Sequence, residues 1–256
     1  MPNWDADLYL KFGAERTQPA IDLIHRIAID APGRIVDLGC GPGNSTQTLR
    51  RRWPEAAITG LDSSPAMIEA ARKADPDGKW VIADAQSWRA EEPVDLVLSN
   101  AVLHWLRDHA SLCRHWFQQV KAGGALAMQV PAHYAMPLHS EIVAVSQEPA
   151  WDARMETART ALTHHPASFY YDLLYPLTSH FDLWETIYYH IVDGPEAVLA
   201  WFRATGLRPF LEALSSDGER AQFEQMLLDR YQVSYARRAS GQTLFAFRRL
   251  FFVAYR

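Results

Sequence analysis

A glycine-rich turn with an acidic residue in front of it is the feature of this sequence best suited to chemistry. The segment reads Asp37-Leu-Gly-Cys-Gly-Pro-Gly43 and lies between a short apolar run and a stretch with helical patterning. Glycines let the backbone turn sharply and approach a ligand with no Cβ in the way. This spacing alone fits several nucleoside-containing ligands, dinucleotides among them, so the neighbouring residues must distinguish between those ligands.

Polar residues also end the next three predicted strands. Asp62 ends the second strand, Asp84-Ala85 the third and Ser99-Asn100-Ala101 the fourth. The carboxyl ends of parallel strands share one edge of a sheet, and ligands bind there. A carboxylate at Asp62 would accept the hydroxyls of a ribose, and Asp84 would hold an adenine amino group. Each residue alone could equally cap a helix or form a turn, so the assignment depends on the whole set.

The position of Asp37 distinguishes between a ligand with a pyrophosphate and one with a cationic group. A carboxylate before the loop would repel a pyrophosphate, whereas the ammonium group of S-adenosylmethionine would be held there directly or through water. We therefore predict S-adenosyl-L-methionine as cofactor and S-adenosyl-L-homocysteine as product. The predicted cofactor contacts are Asp37, Gly39, Cys40, Gly41, Asn44, Asp62, Ser63, Met67, Asp84, Ala85, Asn100, Ala101 and Trp105.

The apolar pattern predicts the elements that position these residues. A helix is expected over 19–29, strands over 34–38, 57–61, 79–83, 94–99 and 125–130, and helices between them over 44–53, 64–73 and 112–120, the last ending at Gly123-Gly124. Five apolar strands alternating with helices are typical of a parallel sheet covered on both faces. The fold class is therefore α/β, a Rossmann-like doubly wound sheet.

After Pro131 this alternation stops. We expect helical segments over 132–183 and 195–240 that cap the carboxyl edge of the sheet, and edge strands over 184–192 and 245–255. The N-terminal 1–30 would form lid helices and 31–131 the cofactor-binding core. The whole of 1–256 is expected to form one domain.

Composition restricts the partners of the protein. The net charge is −5 and the pI is about 6.0, which argues against a long nucleic acid as substrate. No apolar run is long enough to span a membrane, and the first residues lack the pattern of a secretory signal. The two cysteines, Cys40 and Cys113, lack disulfide or metal-ligand spacing. We expect a cytoplasmic protein with a small-molecule substrate and no metal, and leave its oligomeric state open.

The acidic-glycine loop, with an acid after the second strand, resembles the class I S-adenosylmethionine-dependent methyltransferases over about residues 34–130. That resemblance implies a seven-stranded sheet whose last strand is antiparallel. Further blocks are similar to the trans-aconitate 2-methyltransferase family: WDADLYLKFGAERTQP at 4–19, DLGCGPGNS at 37–45, GLDSSPAM at 60–67, ATGLRP at 204–209, and shorter matches at 188–190 and 247–251. The resemblance implies a monomethyl ester of trans-aconitate as product, with cis-aconitate, isocitrate or citrate as weaker substrates.

This chemistry needs no catalytic acid or base, because a carboxylate with a reference pKa near 4 is already ionised at neutral pH. Rate acceleration would come from holding the oxygen in line with the methyl group. A substrate with three carboxylates needs cations and hydroxyl donors. The candidates are Arg16, His133, Tyr134, Tyr189, Arg203, Arg208 and Arg249. Tyr188 alternates with Tyr189 along a strand, so at most one of the two should face a pocket.

Three other functions remain open from the sequence. The first is methylation of another small acceptor, although a phenol or amine would usually need a base. The second is a non-catalytic subunit that only binds the cofactor. The third is a nicotinamide-dependent oxidoreductase, which Asp37 and an antiparallel last strand argue against.

Overall fold

The computed structural model describes residues 13–203 and 205–256. The predicted lid over residues 1–12 lies outside the described residues, and so does the side chain of Arg16. The chain divides into two compact units. Unit 1 comprises residues up to 130 together with 165–185 and 250–256, and unit 2 comprises 131–164 and 186–249.

A seven-stranded sheet runs through the structure in the order β3-β2-β1-β4-β5-β7-β6. The first five strands pair in parallel. β7 is antiparallel to β5, since the Gly123 N–H bonds to Arg256 at one end and the Ala132 N–H bonds to Arg248 at the other. The strands are β1 (Arg34–Leu38), β2 (Ala57–Asp62), β3 (Lys79–Ile82), β4 (Val94–Asn100), β5 (Val120–Pro131), β6 (His180–Val192) and β7 (Thr243–Tyr255). The predicted seven-stranded fold with an antiparallel last strand is confirmed.

Helices flank this sheet. The helices between β1 and β5 follow the predicted alternation, and those after β5 occupy the segments predicted as helical. The described helices are α1 (Gly13–Arg26), α2 (Asn44–Arg52), α3 (Pro65–Ala74), α4 (His109–Gln118), α5 (Pro137–Ser146), α6 (Asp152–Arg159), α7 (Ala167–Leu174), α8 (Pro195–Arg203), α9 (Arg208–Glu212) and α10 (Asp217–Ser234). No helix in the described part of the chain has the length and apolar character needed to cross a membrane.

The predicted helix end at Gly123-Gly124 is wrong. α4 already ends at Gln118, and both glycines lie inside β5. Gly123 has a φ of +79°, and the register between β4 and β5 shifts at this point. A Cβ on Gly124 would overlap the carbonyl oxygen of Asp95. The glycines therefore form an irregularity within a strand, where close backbone approach excludes a side chain.

The start of α1 and the position of β7 in the sheet also differ from the prediction. α1 begins at Gly13 rather than at Pro19, which lies inside the helix. β7 lies between β5 and β6, so of the two late strands only β6 is at the edge of the sheet. Apolar alternation marks a strand but does not specify its neighbours, and for this reason the sequence left the order of β6 and β7 open.

A buried tryptophan organises the start of the sheet in unit 1. Trp80 on β3 donates its indole N–H to the Asp75 carbonyl at 2.8 Å. Its ring fills the space beside two glycines, because a Cβ on Gly43 would lie 2.7 Å from the ring and one on Gly60 would overlap it. The same indole belongs to a buried cluster with Cys40, Ile68 and Ala71. Trp80 thus connects the glycine loop, β2 and α3.

In unit 2, Tyr231 on α10 and Tyr235 directly after that helix hold the start of α5. The Tyr231 hydroxyl donates to the Leu138 carbonyl at 2.7 Å, and the Tyr235 hydroxyl accepts from the Leu138 N–H at 2.8 Å. The N–H groups of a first helical turn have no partner within the helix, so the Tyr235 hydroxyl satisfies one of them. These bonds fix the position of the first turn of α5.

We expect Trp80→Ala to lower the free energy of unfolding by about 3–5 kcal/mol, because it removes a large buried side chain and leaves a cavity. Urea unfolding followed by circular dichroism measures this change. Tyr175→Ala, at a residue that is 52% exposed, is the control and should change stability by less than about 0.5 kcal/mol. Equal effects of the two substitutions would show that Trp80 does not organise unit 1.

Candidate functional site

The glycine loop between β1 and α2 is fixed tightly against the rest of unit 1. Gly39 and Gly43 have φ angles of +70° and +94°, which side chains other than glycine rarely adopt. The N–H groups of Gly39 and Cys40 both donate to the Leu61 carbonyl, at 2.7 and 2.9 Å. A Cβ on Gly39 would overlap Val102 in the segment after β4. The loop is thereby attached to the carboxyl ends of both strands that flank β1.

Gly41 differs from the other two glycines because it faces open space. Its φ is +54°, and a Cβ built on it would meet no atom within 4 Å. The space beside it is a small cavity, lined by Thr17, Ala20, Gly39, Cys40, Gly41, Pro42, Asn44, Ser45 and Asn100. The bare backbone of the loop therefore forms one wall of this cavity in unit 1.

Asp37 ends in a fully buried carboxylate with one satisfied oxygen. Its Oδ2 accepts hydrogen bonds from the hydroxyls of Ser45 and Thr46, both at 2.6 Å. Its Oδ1 has no hydrogen-bond partner among residues 13–203 and 205–256. Burial raises the pKa of Asp37 to about 6, and the two hydroxyl bonds partly offset that rise. A cationic donor at Oδ1 would satisfy the oxygen and stabilise the ionised form.

Asn100 supplies a second acceptor of the same kind. Its Oδ1 is buried and has no partner in the described ranges, and the residue lines the cavity. Asp37 is the register partner of Leu98 on the neighbouring strand, and Asn100 follows two residues later. Since side chains alternate along a strand, Asp37 and Asn100 share one face of the sheet. Two unsatisfied oxygens thus lie at adjacent strand ends.

The residue after Asn100 carries backbone strain. Ala101 has a φ of +57°, a conformation uncommon for residues other than glycine. Its N–H donates to the Gln129 carbonyl at 2.9 Å, which holds the chain in place as β4 ends. Strain of this kind persists where the surroundings enforce it and is frequent at binding sites.

Asp62 links the glycine loop to the next helix. Its Oδ2 accepts the Gly41 N–H at 3.0 Å and its Oδ1 accepts the Ser64 N–H at 2.8 Å. Burial raises the pKa of this carboxyl as well. Ser64 is the residue that caps α3, through the Met67 N–H at 3.4 Å. Asp62 therefore braces the loop, and its contact with a ribose stays a prediction.

Asp84 and Ala85 form a turn attached to α4. The Asp84 Oδ1 accepts the Gln86 N–H at 2.9 Å, and the Ala85 carbonyl accepts the Trp116 indole N–H at 3.0 Å. The turn is thus held in place by a buried side chain. Its contact with an adenine ring stays a prediction.

The structure brings together five of the predicted cofactor residues along the cavity: Gly39, Cys40, Gly41, Asn44 and Asn100. The Cys40 side chain packs in the core of unit 1, and burial raises the pKa of its thiol, so it is a neutral packing group. Met67 is buried near the start of α3, whereas Ser63 and Trp105 are half-buried beside the strand ends.

Four residues that line the cavity were not predicted from the sequence: Thr17, Ala20, Pro42 and Ser45. Thr17 lies on α1 and its hydroxyl accepts a hydrogen bond from the Asn44 side chain at 3.0 Å. Ser45 could have been found from the sequence, because Ser45-Thr46 directly follows the loop and hydroxyl groups there can reach Asp37. The predicted N-terminal lid over residues 1–30 includes α1, but the sequence did not indicate which of its residues line the cavity.

The predicted substrate residues with described side chains all lie in unit 2. Arg203 makes a bidentate ion pair with Glu224, in which both nitrogen–oxygen distances are 2.6 Å. The Arg208 Nε lies 2.6 Å from the Glu212 Oε1. His133 and Arg249 are buried. Tyr134 and Tyr189 are exposed, and Tyr188 is on the less exposed face of β6. Their roles stay predictions.

The fold is shared with solved structures that include a methyltransferase. Coclaurine N-methyltransferase bound to N-methylheliamine and SAH matches with a TM-score of 0.56 and 14% identity, over 93% of this chain and 72% of that one. The YcgJ protein from Bacillus subtilis matches with a TM-score of 0.60 and 13% identity, over 93% and 99%. A family model described as a methyltransferase domain matches residues 35–124. Fold and glycine loop together define a class I methyltransferase.

Relatives that match over the full length of the chain identify its family within this class. Trans-aconitate 2-methyltransferase from Azoarcus sp. (strain BH72) is 43% identical over 100% of both chains. The enzymes of that name from Methylobacterium radiotolerans and Escherichia coli O157:H7 are 42% and 41% identical over at least 98% of each chain. The chain belongs to the trans-aconitate 2-methyltransferase family.

The raised pKa of Asp37 predicts a pH dependence of stability. Between pH 4 and about 6 the folded state binds more protons at this residue than the unfolded state, so stability falls as pH rises through this window. In Asp37→Asn this component should be absent. We expect the difference in unfolding free energy between the cofactor-free proteins to change by about 3 kcal/mol across the window.

Urea titrations of both proteins at several pH values from 4 to 7 measure this difference. Asp182→Asn, which removes an ion-paired carboxylate from β6 in unit 1, is the control for a general effect of losing one acid. A pH-independent difference between wild type and Asp37→Asn would mean that the Asp37 carboxyl titrates normally.

Proposed function

We propose that the protein transfers the methyl group of S-adenosylmethionine to one carboxylate of trans-aconitate, giving a monomethyl ester and S-adenosylhomocysteine. The full-length relatives bear the name of this activity. The structural observation that carries the proposal is the pair of buried, unsatisfied oxygens, Asp37 Oδ1 and Asn100 Oδ1. They suit a ligand with a cationic amino-acid end.

The described residues fit this cofactor. Asp37 and Asn100 would accept hydrogen bonds from its ammonium group, and the open backbone at Gly41 would admit its methionine part. Asp62, already aligned by the loop N–H, would accept from the ribose, and the turn at Asp84-Ala85 would face the adenine. The other predicted contacts, Asn44, Ser63, Met67, Ala101 and Trp105, would complete the walls.

When bound, the cofactor supplies a methyl group on a positively charged sulfur. The acceptor carboxylate is ionised at neutral pH, so the protein needs to remove no proton from it. The work of the protein is to hold the carboxylate in line and to exclude water, because the opposite charges disappear as the bond forms. This explains why no residue is assigned as a general base.

A tricarboxylate requires several cationic or hydroxyl partners, and we propose that they come from Arg16, His133, Tyr134, Tyr189, Arg203, Arg208 and Arg249. Arg249 on β7 is 5% exposed, and its guanidinium lies 4.7 Å from the centre of the Phe247 ring. A guanidinium in such surroundings binds a carboxylate more strongly than one in water. To bind a substrate carboxylate, Arg203 would give up its ion pair with Glu224, and Arg208 its ion pair with Glu212.

Activity is tested with methyl-labelled S-adenosylmethionine and a panel of trans-aconitate, cis-aconitate, isocitrate, citrate, a phenol and bulk tRNA. We expect base-labile label on trans-aconitate, with less on the other three acids and none on the phenol or tRNA. Transfer to the phenol or tRNA alone would overturn the proposed acceptor. Failure to bind the cofactor in equilibrium dialysis would overturn the proposed function as a whole.

We expect Arg249→Lys to raise KM for trans-aconitate at least tenfold, because an ammonium group cannot replace two parallel guanidinium hydrogen bonds. Affinity for S-adenosylmethionine should stay within about twofold, and its measurement also shows that the variant is folded. Arg230→Lys is the matched control, since Arg230 makes an exposed ion pair with Glu141 in the same unit. An unchanged KM in Arg249→Lys would exclude Arg249 as a substrate anchor.

A further inference from the structure

Three histidines from separate segments of unit 2 converge. His133 lies in the short 3-10 helix after β5, His139 in α5, and His164 in the segment between α6 and α7. One ring nitrogen from each lies within 4.8 Å of those of the other two. Their spacings of 6 and 25 residues fit no metal-binding motif, and these histidines were not predicted from the sequence as a cluster.

The rings meet edge to face. The ring centroids are 4.5 Å apart for His133 and His164, 5.4 Å for His133 and His139, and 5.5 Å for His139 and His164. The angles between ring planes are 81°, 68° and 71°. A hydrophobic stack would bring ring faces together in parallel, whereas this arrangement brings nitrogen-bearing edges close to a common point.

The backbone around the cluster is held in place. The Met136 N–H donates to the His133 carbonyl at 2.9 Å, which closes the turn that carries His133. His139 directly follows Leu138, whose N–H and carbonyl are bound by the hydroxyls of Tyr235 and Tyr231. Phe202 packs edge-on against the His133 ring at a centroid distance of 5.4 Å. Two of the three rings are thus attached to well-anchored backbone beside an apolar wall.

Charge favours a cation between the rings. Three protonated imidazoles this close would repel one another, whereas a shared cation would be held by all three ring nitrogens. Each neutral imidazole has one nitrogen lone pair to donate. The cluster contains no carboxylate or thiol. Neutral nitrogen donors with no acid among them are typical ligands of zinc and of other transition metals of intermediate softness.

We propose that His133, His139 and His164 bind one divalent transition-metal ion such as Zn²⁺ or Co²⁺. Three imidazoles leave at least one coordination position for water or an oxygen anion, as in zinc sites with an open position. Zinc–nitrogen bonds of about 2.0–2.1 Å bring the nitrogens roughly 3.3 Å apart. Closing from the present separation requires small side-chain movements, and His139 and His164 are only half-buried.

The test uses the full-length protein with any affinity tag removed, stripped with a chelator and titrated with Co²⁺ alone. We expect one ion per chain, the visible absorption of a four- or five-coordinate nitrogen site, and displacement of Co²⁺ by Zn²⁺. A chain that takes up less than a tenth of an equivalent, or that shows only the spectrum of hydrated Co²⁺, overturns the proposal.

Neighbouring histidines give a matched pair of variants. His164→Gln removes a ligand and should weaken Co²⁺ binding more than tenfold. His165→Gln should leave binding unchanged, because His165 belongs to unit 1 and stacks on Phe169 with ring centroids 3.8 Å apart. Equal Co²⁺ affinity in the two variants would overturn the assignment. Thermal melting and binding of S-adenosylmethionine show whether each variant is folded, and His139→Gln provides a second ligand deletion.

The alternative ligand of the three histidines is a carboxylate anion instead of a metal ion. If the stripped protein binds trans-aconitate, ignores Co²⁺, and loses trans-aconitate binding in His164→Gln, the cluster binds the anion directly and the metal proposal is wrong. Failure of the methyl-transfer assay would not affect the Co²⁺ result, since metal binding is measured without cofactor or acceptor.

Discussion

The carboxylate of Asp37 imposes the constraint on which the cofactor site depends. A charge without solvent is costly, yet this one is placed at the centre of a sheet, with Ser45 and Thr46 satisfying a single oxygen. Those hydroxyls lie in the first turn of α2, so the helix must begin directly after Gly43. That requirement in turn fixes the left-handed glycines and the attachment of the loop to the Leu61 carbonyl. The remaining oxygen, Oδ1, has no hydrogen-bond partner among the described residues.

Much of unit 1 could be predicted because its signals are local. Short apolar runs alternating with helical patterns specify a parallel sheet, and a glycine loop followed by a helix specifies which strand carries the ligand. Asp37 and Asn100 were predicted for the same reason, as polar residues at the ends of apolar strands. The glycines at 123 and 124 misled the prediction, since glycine is common both after a helix and at an irregular point in a strand. Only the pairing of β4 with β5 distinguishes these cases.

Features that depend on distant contacts could not be predicted. The histidines at 133, 139 and 164 converge only because the chain returns after α6, and no spacing rule describes that return. The arginines illustrate the same limit. Arg203 and Arg249 are the same residue type, but one forms an ion pair in solvent and the other is buried. Whether a single cation is buried depends on the side chains that pack around it. Those contacts join residues that are distant in sequence, so local sequence patterns do not predict them.

The order of strands at the end of the sheet has a consequence for synthesis on the ribosome. β6 is made about fifty residues before β7, and ribosomal synthesis runs at roughly 5–20 residues per second. In the finished sheet β7 lies between β5 and β6, so β6 has no partner strand until the last strand emerges. For several seconds the nascent chain therefore carries β5 as an open sheet edge and β6 as an unpaired segment with Ile187, Tyr189 and Ile191 on one face. Unpaired edges of this kind invite association with other chains, and a nascent chain at this stage is where a chaperone would be most needed.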